Sequence, residues 1–279
     1  MNNWTQFIER ALEEDVKDGD HTSLSCIPEN ANGSAKLLVK EEGIIAGIEL
    51  AEIIFHHLDS SLKVNCILKD GTIVSKGDVA FTVEGSDRNI LTAERLVLNC
   101  MQRMSGVATL TSKFVEEVKG SGVKILDTRK TTPLFRGIEK WAVKIGGGHN
   151  HRFGLFDMIM IKDNHIDYAG GIKEAIESVQ KYLREKKLKL KIEIETRSID
   201  EVKQVISIGE VDRIMLDNFQ PEDILEAVKL IKGKFEIEVS GGISLETINK
   251  YALPGVNFIS VGSLTNGYRS LDMSLKAVK

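Results

Sequence analysis

Apolar and polar positions follow two different rhythms along this chain, and the change falls near residue 123. Before it, Trp4, Phe7, Ile8, Leu12 and Val16 recur at helical spacing and predict a helix over residues 4–16. Strand-like stretches follow at 34–47, 62–74 and 78–85, divided by a helical pattern over 47–58, with Gly71, Gly77 and Gly85 marking turns. Residues 87–118 read as one or two helices, broken near Ser105-Gly106. From Val123 on, short apolar runs alternate with helical stretches. The predicted strands are 123–129, 158–164, 190–197, 213–218, 235–242 and 258–265; helices over 172–187 and 221–233 lie between some of them, the latter with Pro221 near its start. Apolar runs followed by helices imply a parallel sheet buried on both faces.

Each of these six strands ends in polar or glycine residues: Arg129-Lys130, Lys162, Glu195, Asp217, Ser240-Gly241-Gly242 and Gly262-Ser263. In α/β barrels the active site sits at the carboxyl ends of the strands and is built from such residues. Six units fall short of the eight of a closed barrel, so the expected fold is α/β with an incomplete barrel.

Charge sharpens the picture. The chain as a whole is slightly acidic, with 37 Lys+Arg against 41 Asp+Glu and a net charge of -4. Residues 124–165 nevertheless hold Lys124, Arg129, Lys130, Arg136, Lys140, Lys144, Arg152 and Lys162 against Asp127, Glu139, Asp157 and Asp163, together with His149, His151 and His165. Cations held close together in a low-dielectric cleft are costly unless an anion joins them. The local excess therefore predicts a pocket for a small, multiply anionic substrate, and the acidic total argues against a general nucleic-acid or membrane-surface binder. Cys26, Cys66 and Cys100 are odd in number and widely spaced, which fits reduced thiols. No signal-peptide layout and no apolar run of membrane-spanning length is apparent, so a soluble cytoplasmic protein is expected.

The residue types suggest roles. Thr128-Arg129-Lys130 at a strand end reads as an anion site, and a strand-end Lys162 reads as a ligand contact or a Schiff-base amine. His149 and His151 have HxH spacing, but no third metal ligand is evident, and His151-Arg152 as anion contacts is the preferred reading. Glu195 and Asp217 suit sugar hydroxyls or a magnesium ion bridging phosphates, or else a salt bridge with the facing cations. Ser240-Gly241-Gly242 and Gly262-Ser263 let backbone N–H groups approach a phosphate. Together these suggest a phosphorylated sugar beside a basin for a second anion.

The strings LNCMQRMSGVATLT, LDTRKTTPLFRGIEKWAVKIGGGHNHRFGLFDMIMIKDNH, EIET, IMLDN, VSGGI and ISVGSLT resemble the quinolinate phosphoribosyltransferase family over nearly the full length. The resemblance implies an N-terminal α/β sandwich (1–106, with residues 266–279 packing back on it) and an open α/β barrel (107–279). It implies transfer of a phosphoribosyl group from phosphoribosyl pyrophosphate to quinolinate with decarboxylation, giving nicotinate mononucleotide. Magnesium would accompany the donor, with no organic cofactor, in a homodimer or a hexamer. Carried over, Arg103 would reach quinolinate in a neighbouring subunit, while Thr128, Arg129, Lys130, His151, Arg152 and Lys162 would line the quinolinate and pyrophosphate region. Glu195 and Asp217 would hold the ribose and magnesium side, and Ser240, Gly241, Gly242, Gly262 and Ser263 the 5-phosphate. One departure is PLFR at 133–136, where many relatives have PGLR. Three competing readings remain: a Schiff-base aldolase using Lys162 or Lys130, a paralogue of the molybdate-operon type, and a non-catalytic sugar-phosphate binder.

Overall fold

The computed structural model describes residues 4–278. Contacts divide the chain into two units, one of residues up to 110 with 137–146 and 268 onward, the other of 111–136 and 147–267. The return of residues from 268 onward to the first unit matches the expected packing-back of 266–279, and residues 137–146 join that unit as well.

The first unit holds α1 (Thr5–Asp15), α2 (His21–Cys26), β1 (Asn32–Val39), β2 (Gly43–Ile44), α3 (Ile48–Leu58), β3 (Lys63–Cys66), β4 (Ile73–Val74), β5 (Val79–Ser86) and most of α4 (Asp87–Glu117). Its main sheet is antiparallel in the order β12-β1-β5-β3, the last strand of the chain, β12 (Met273–Val278), pairing with β1. In β1, Ala35, Leu37 and Val39 are buried while their neighbours are half-exposed, the period-2 pattern of a sheet with one covered face.

The expected break at Ser105-Gly106 does not occur, because α4 runs unbroken for 31 residues. Gly106 has a packing reason instead: a Cβ there would lie 2.3 Å from the Arg269 carbonyl oxygen. Ser105 is wholly buried and its hydroxyl accepts the Ala46 N–H at 2.8 Å. A Ser-Gly pair that looks like punctuation is thus a point of close backbone approach.

The second unit contains β6 (Lys124–Leu126), β7 (Ile159–Ile161), α6 (Asp163–Ala169), α7 (Ile172–Lys186), β8 (Ile192–Thr196), α8 (Ile199–Ile208), β9 (Arg213–Asp217), α9 (Pro221–Ile231), β10 (Glu236–Ser240), β11 (Phe258–Ser260) and α10 (Ser263–Asn266). Between β6 and β7 lies α5 (Arg136–Ile145), which the sequence reading missed inside the cationic run. Beyond its first residue α5 belongs to the first unit, where Trp141 stacks on Trp4 with ring centroids 5.7 Å apart.

All six strands are parallel, in the order β6-β11-β10-β9-β8-β7, and the two end strands are not paired with each other. This is the open α/β barrel sheet expected. Alternation decides which side chains face where. Ile192, Ile194, Ile214, Leu216, Ile237 and Val239 are buried on one face, against a helical layer that includes Ile176, Val202, Val205, Ile224 and Ala227. The other face carries Glu193, Glu195, Arg213, Met215, Asp217, Glu238 and Ser240. All six strands are shorter than predicted, most of all β6, β7 and β11, so Arg129, Lys162 and Gly262 stand just past the strands that were expected to contain them, with Lys130 following Arg129.

Candidate active site

A cavity of about 730 Å³ opens at the carboxyl ends of these strands. Thr128, Arg129 and Lys130 line it from the loop after β6, and His151 and Arg152 from the segment before β7. Lys162, Glu195 and Asp217 follow in strand order, and Ser240, Gly241, Gly242, Gly262 and Ser263 complete the wall. Every site residue predicted in the second unit is therefore brought to one place. The eight basic residues of the linear run are not: only Arg129, Lys130, Arg152 and Lys162 line the cavity. Lys140 is buried on α5 in the first unit. Arg136 donates to Thr131 Oγ1 at 2.9 Å and to the Phe153 carbonyl at 3.0 Å, bracing the loops.

Local chemistry explains the placements. The Thr128 hydroxyl accepts the Lys130 N–H at 3.0 Å, and the Lys130 carbonyl accepts from Thr265 at 2.8 Å, so the TRK turn is tied to the end of the sheet. His165 Nδ1 accepts the Lys162 N–H at 2.9 Å, a structural role at the start of α6. Gly241 has φ +100°, and a Cβ there would lie 2.2 Å from Asn218 Oδ1, so this turn requires glycine. Leu134, the departure from PGLR, takes φ +63° with its side chain 89% exposed. A leucine thus occupies a conformation that glycine adopts without strain.

The charges are unevenly matched. Lys162 Nζ lies 2.7 Å from Glu195 Oε2, so this lysine is an ion-paired ammonium and a poor candidate for a Schiff-base amine. Burial, and next the neighbouring Glu195, raise the pKa of Asp217. Arg152 is lowered by burial and then by Arg129, the mark of two cations drawn together. That crowding is what an anionic ligand would relieve.

The HxH pair divides: His149 is exposed, whereas His151 is buried. His151 Nε2 lies 2.9 Å from Glu193 Oε2 and 3.3 Å from Glu238 Oε2. These three are the single group of potential metal ligands among the described residues, with ligand atoms within 4.8 Å of one another. Arg213 already neutralises part of it, its Nη1 lying 2.7 Å from Glu238 Oε2. Burial opposes the imidazolium, but Glu193 and Glu238 outweigh it and raise the His151 pKa to about 9. Against this, His151 Nδ1 accepts the Arg152 N–H at 2.6 Å, which a doubly protonated ring cannot do. Nδ1 thus faces the Arg152 N–H and Nε2 faces the two carboxylates, whose negative charge favours the protonated ring. Burial, and then the charge of Glu238, push Glu193 up to about 7.

Arg103 lies in the first unit. Its Nε and Nη2 lie 2.9 and 2.8 Å from Glu139 Oε1, and its guanidinium is 5.1 Å from the Tyr268 ring centroid. Within its own chain Arg103 thus has an anionic partner that the sequence does not announce: Glu139, wholly buried on α5.

Comparison with known proteins decides the family. Residues 20–105 match the profile of the quinolinate phosphoribosyl transferase N-terminal domain, and residues 107–276 that of its C-terminal domain. The chain belongs to the quinolinate phosphoribosyltransferase family. It is 48% identical over 284 residues to the chloroplastic nicotinate-nucleotide pyrophosphorylase [carboxylating] of Arabidopsis thaliana, covering 96% of this chain and 81% of that one. It is 41% identical over 262 residues to the probable nicotinate-nucleotide pyrophosphorylase [carboxylating] of Bacillus subtilis, covering 94% and 89%. The solved nicotinate-nucleotide pyrophosphorylase of Francisella tularensis superposes with a TM-score of 0.90 at 39% identity, covering 98% of this chain and 95% of that one. The Ehrlichia chaffeensis enzyme superposes with a TM-score of 0.92 at 36% identity over 100% of both.

Three residues of this family member escaped the sequence reading: Glu193, Arg213 and Glu238. A signal was present. In IEIET and EIEVS, acids alternate with isoleucine inside segments read as buried strand, and a buried strand with charge on every second residue must face something polar on that side.

Proposed function

We propose that the chain transfers the phosphoribosyl group of phosphoribosyl pyrophosphate to the ring nitrogen of quinolinate and releases carbon dioxide, giving nicotinate mononucleotide and pyrophosphate. The observation that carries this reading is the two-sided cavity. Arg129, Lys130, Arg152 and Lys162 stand together at strand ends, beside Glu195, Asp217 and two small-residue turns. Quinolinate has two carboxylates and the donor carries a phosphate and a pyrophosphate, so both substrates need fixed cations. Thr128, Arg129, Lys130, His151, Arg152 and Lys162 take the quinolinate and pyrophosphate side. Ser240, Gly241, Gly242, Gly262 and Ser263 take the 5-phosphate, and Glu195 and Asp217 the ribose.

Magnesium fits at Glu195 and Asp217, through substrate or water. Asp217 is held back from ionising by burial and by Glu195, and a divalent cation relieves that repulsion. When bound it neutralises charge on the departing pyrophosphate. The chain's own residues position the ring nitrogen against the anomeric carbon, and the cations face the charge that moves; no covalent nucleophile is needed.

The active form is a homo-oligomer, dimer or hexamer, with Arg103 serving a neighbouring pocket. Exposed Leu134, Phe153, Leu155 and Phe156 in the second unit support such a contact. Three free cysteines support a reducing compartment such as the cytoplasm, although the Arabidopsis relative is chloroplastic. Among the described residues no helix is long and apolar enough to cross a membrane. Incubation with quinolinate, phosphoribosyl pyrophosphate and magnesium should consume quinolinate absorbance. Excess chelator should stop it, and no loss in the complete mixture contradicts the reading.

A further inference from the structure

We infer that Glu193, Arg213 and Glu238 are positioning residues that hold the cationic wall of the cavity through His151. The inference rests on the functional reading above and adds residues to it.

The inward face of a barrel sheet is normally filled by branched apolar side chains. Here adjacent strands β8, β9 and β10 place Glu193, Arg213 and Glu238 on it, 0%, 8% and 0% exposed. Burying ionised groups is expensive, and apolar replacements of similar volume are often no less stable, so stability alone does not account for them. Their geometry points to one ring. Arg213 is fixed from below, 4.0 Å from the Phe258 ring centroid and 3.2 Å from Glu236 Oε2. Its Nη1 holds Glu238 Oε2 at 2.7 Å. That same carboxylate oxygen approaches His151 Nε2 from one side, and Glu193 Oε2 from the other. Glu193 Oε2 has the imidazole Nε2 at 2.9 Å and Arg213 Nη1 at 4.0 Å as charged neighbours, and neither Glu193 oxygen makes a well-aligned hydrogen bond.

From His151 the chain of contacts leads to the cavity. The His151 N–H donates to the wholly buried Asp127 Oδ1 at 2.9 Å, and ring Nδ1 accepts the Arg152 N–H at 2.6 Å. Arg152 Nη1 donates to the Met158 carbonyl at 3.2 Å. The ring is thus held by a hydrogen bond at Nδ1 and flanked by two close carboxylates at Nε2, and the backbone of Arg152 hangs from it. Two cations that repel each other will not hold a substrate-ready spacing unaided. A rigid polar support beneath them does so, and it orients the groups a ligand meets.

The test is steady-state kinetics on Glu193→Gln, Glu238→Gln and Arg213→Met, each checked for folding by thermal melting, with quinolinate and phosphoribosyl pyrophosphate varied separately. The KM for quinolinate should rise about 10-fold or more, the scale of losing a supporting hydrogen bond to a ligand group. The KM for phosphoribosyl pyrophosphate, whose ribose and 5-phosphate are held by the other wall, should rise several-fold less, and Arg213→Lys should recover part of the loss that Arg213→Met causes. In an Arg152→Ala background, Glu193→Gln should add little, because both act through one group. Folded variants with unchanged quinolinate KM overturn the inference. So does an equal rise in both KM values, or full additivity with Arg152→Ala. If Arg213→Met fails to fold, the two near-isosteric glutamine variants decide alone. An inactive wild type would instead refute the functional reading, so the two failures are distinguishable.

Discussion

Lys162 combines an accessible ammonium with a carboxylate partner at 2.7 Å, and its side chain is 44% exposed while that of Glu195 is 9% exposed. An ion pair with one exposed partner contributes little to stability, but a cation facing developing charge contributes much to rate. Lys162→Ala and Lys130→Ala should each lower turnover by about 10²–10³-fold, roughly 2–4 kcal/mol, while melting temperatures move little. Unchanged turnover at saturating substrate in both variants would remove these residues from the mechanism. Lys162, Glu195 and Asp217 are legible in the sequence because each follows an apolar run, where a polar residue marks the strand's end. The alternation in IEIET and EIEVS marks Glu193 and Glu238 as facing something polar but not what, because their partners come from other strands, and Arg213, ahead of the IML run, carries no such mark.

Among the elements, α4 shows how a local signal misleads. Ser105-Gly106 reads as a break because glycine costs a helix about 1 kcal/mol relative to alanine. By propensity alone Gly106→Ala would stabilise α4. The structure predicts the reverse: the added Cβ would meet the Arg269 carbonyl at 2.3 Å, and backbone cannot yield as a side-chain tip can. Overpacking of that kind typically costs about 1–3 kcal/mol, more than the propensity gain. Thermal denaturation of Gly106→Ala should show a lower midpoint, and an equal or higher one would mean the backbones can separate. The helix–strand rhythm after residue 123 is legible because both periods are strong there. Helix α5 is hidden by its charges: Glu139 and Lys140 are buried in α5, where composition suggests a solvated or ligand-facing run.

For the whole molecule, thiol reactivity checks the packing independently of catalysis. Burial pushes the Cys100 thiol up to about 12, and burial, followed by Glu52 and Asp70, raises Cys66. A raised pKa lowers the thiolate fraction at a given pH, so near pH 8 Cys100 should stay unmodified until the protein unfolds. Exposed Cys26 should react, and Cys66 should react faster as pH rises; three reactive thiols in the native state would contradict the core described. Oligomerisation has its own test. Arg103→Ala and Lys162→Ala chains should each be nearly inactive, and mixing them after reversible dissociation should restore activity if Arg103 serves a partner's cavity. No recovery from demonstrable heterodimers would confine Arg103 to its pairing with Glu139. The central claim, that this cavity couples phosphoribosyl transfer to decarboxylation, is tested most directly by product stoichiometry. With magnesium and both substrates, carbon dioxide and pyrophosphate should appear in equal amounts, each matching the quinolinate consumed, and neither should form without phosphoribosyl pyrophosphate. Quinolinate left intact, or carbon dioxide released without pyrophosphate, would contradict it.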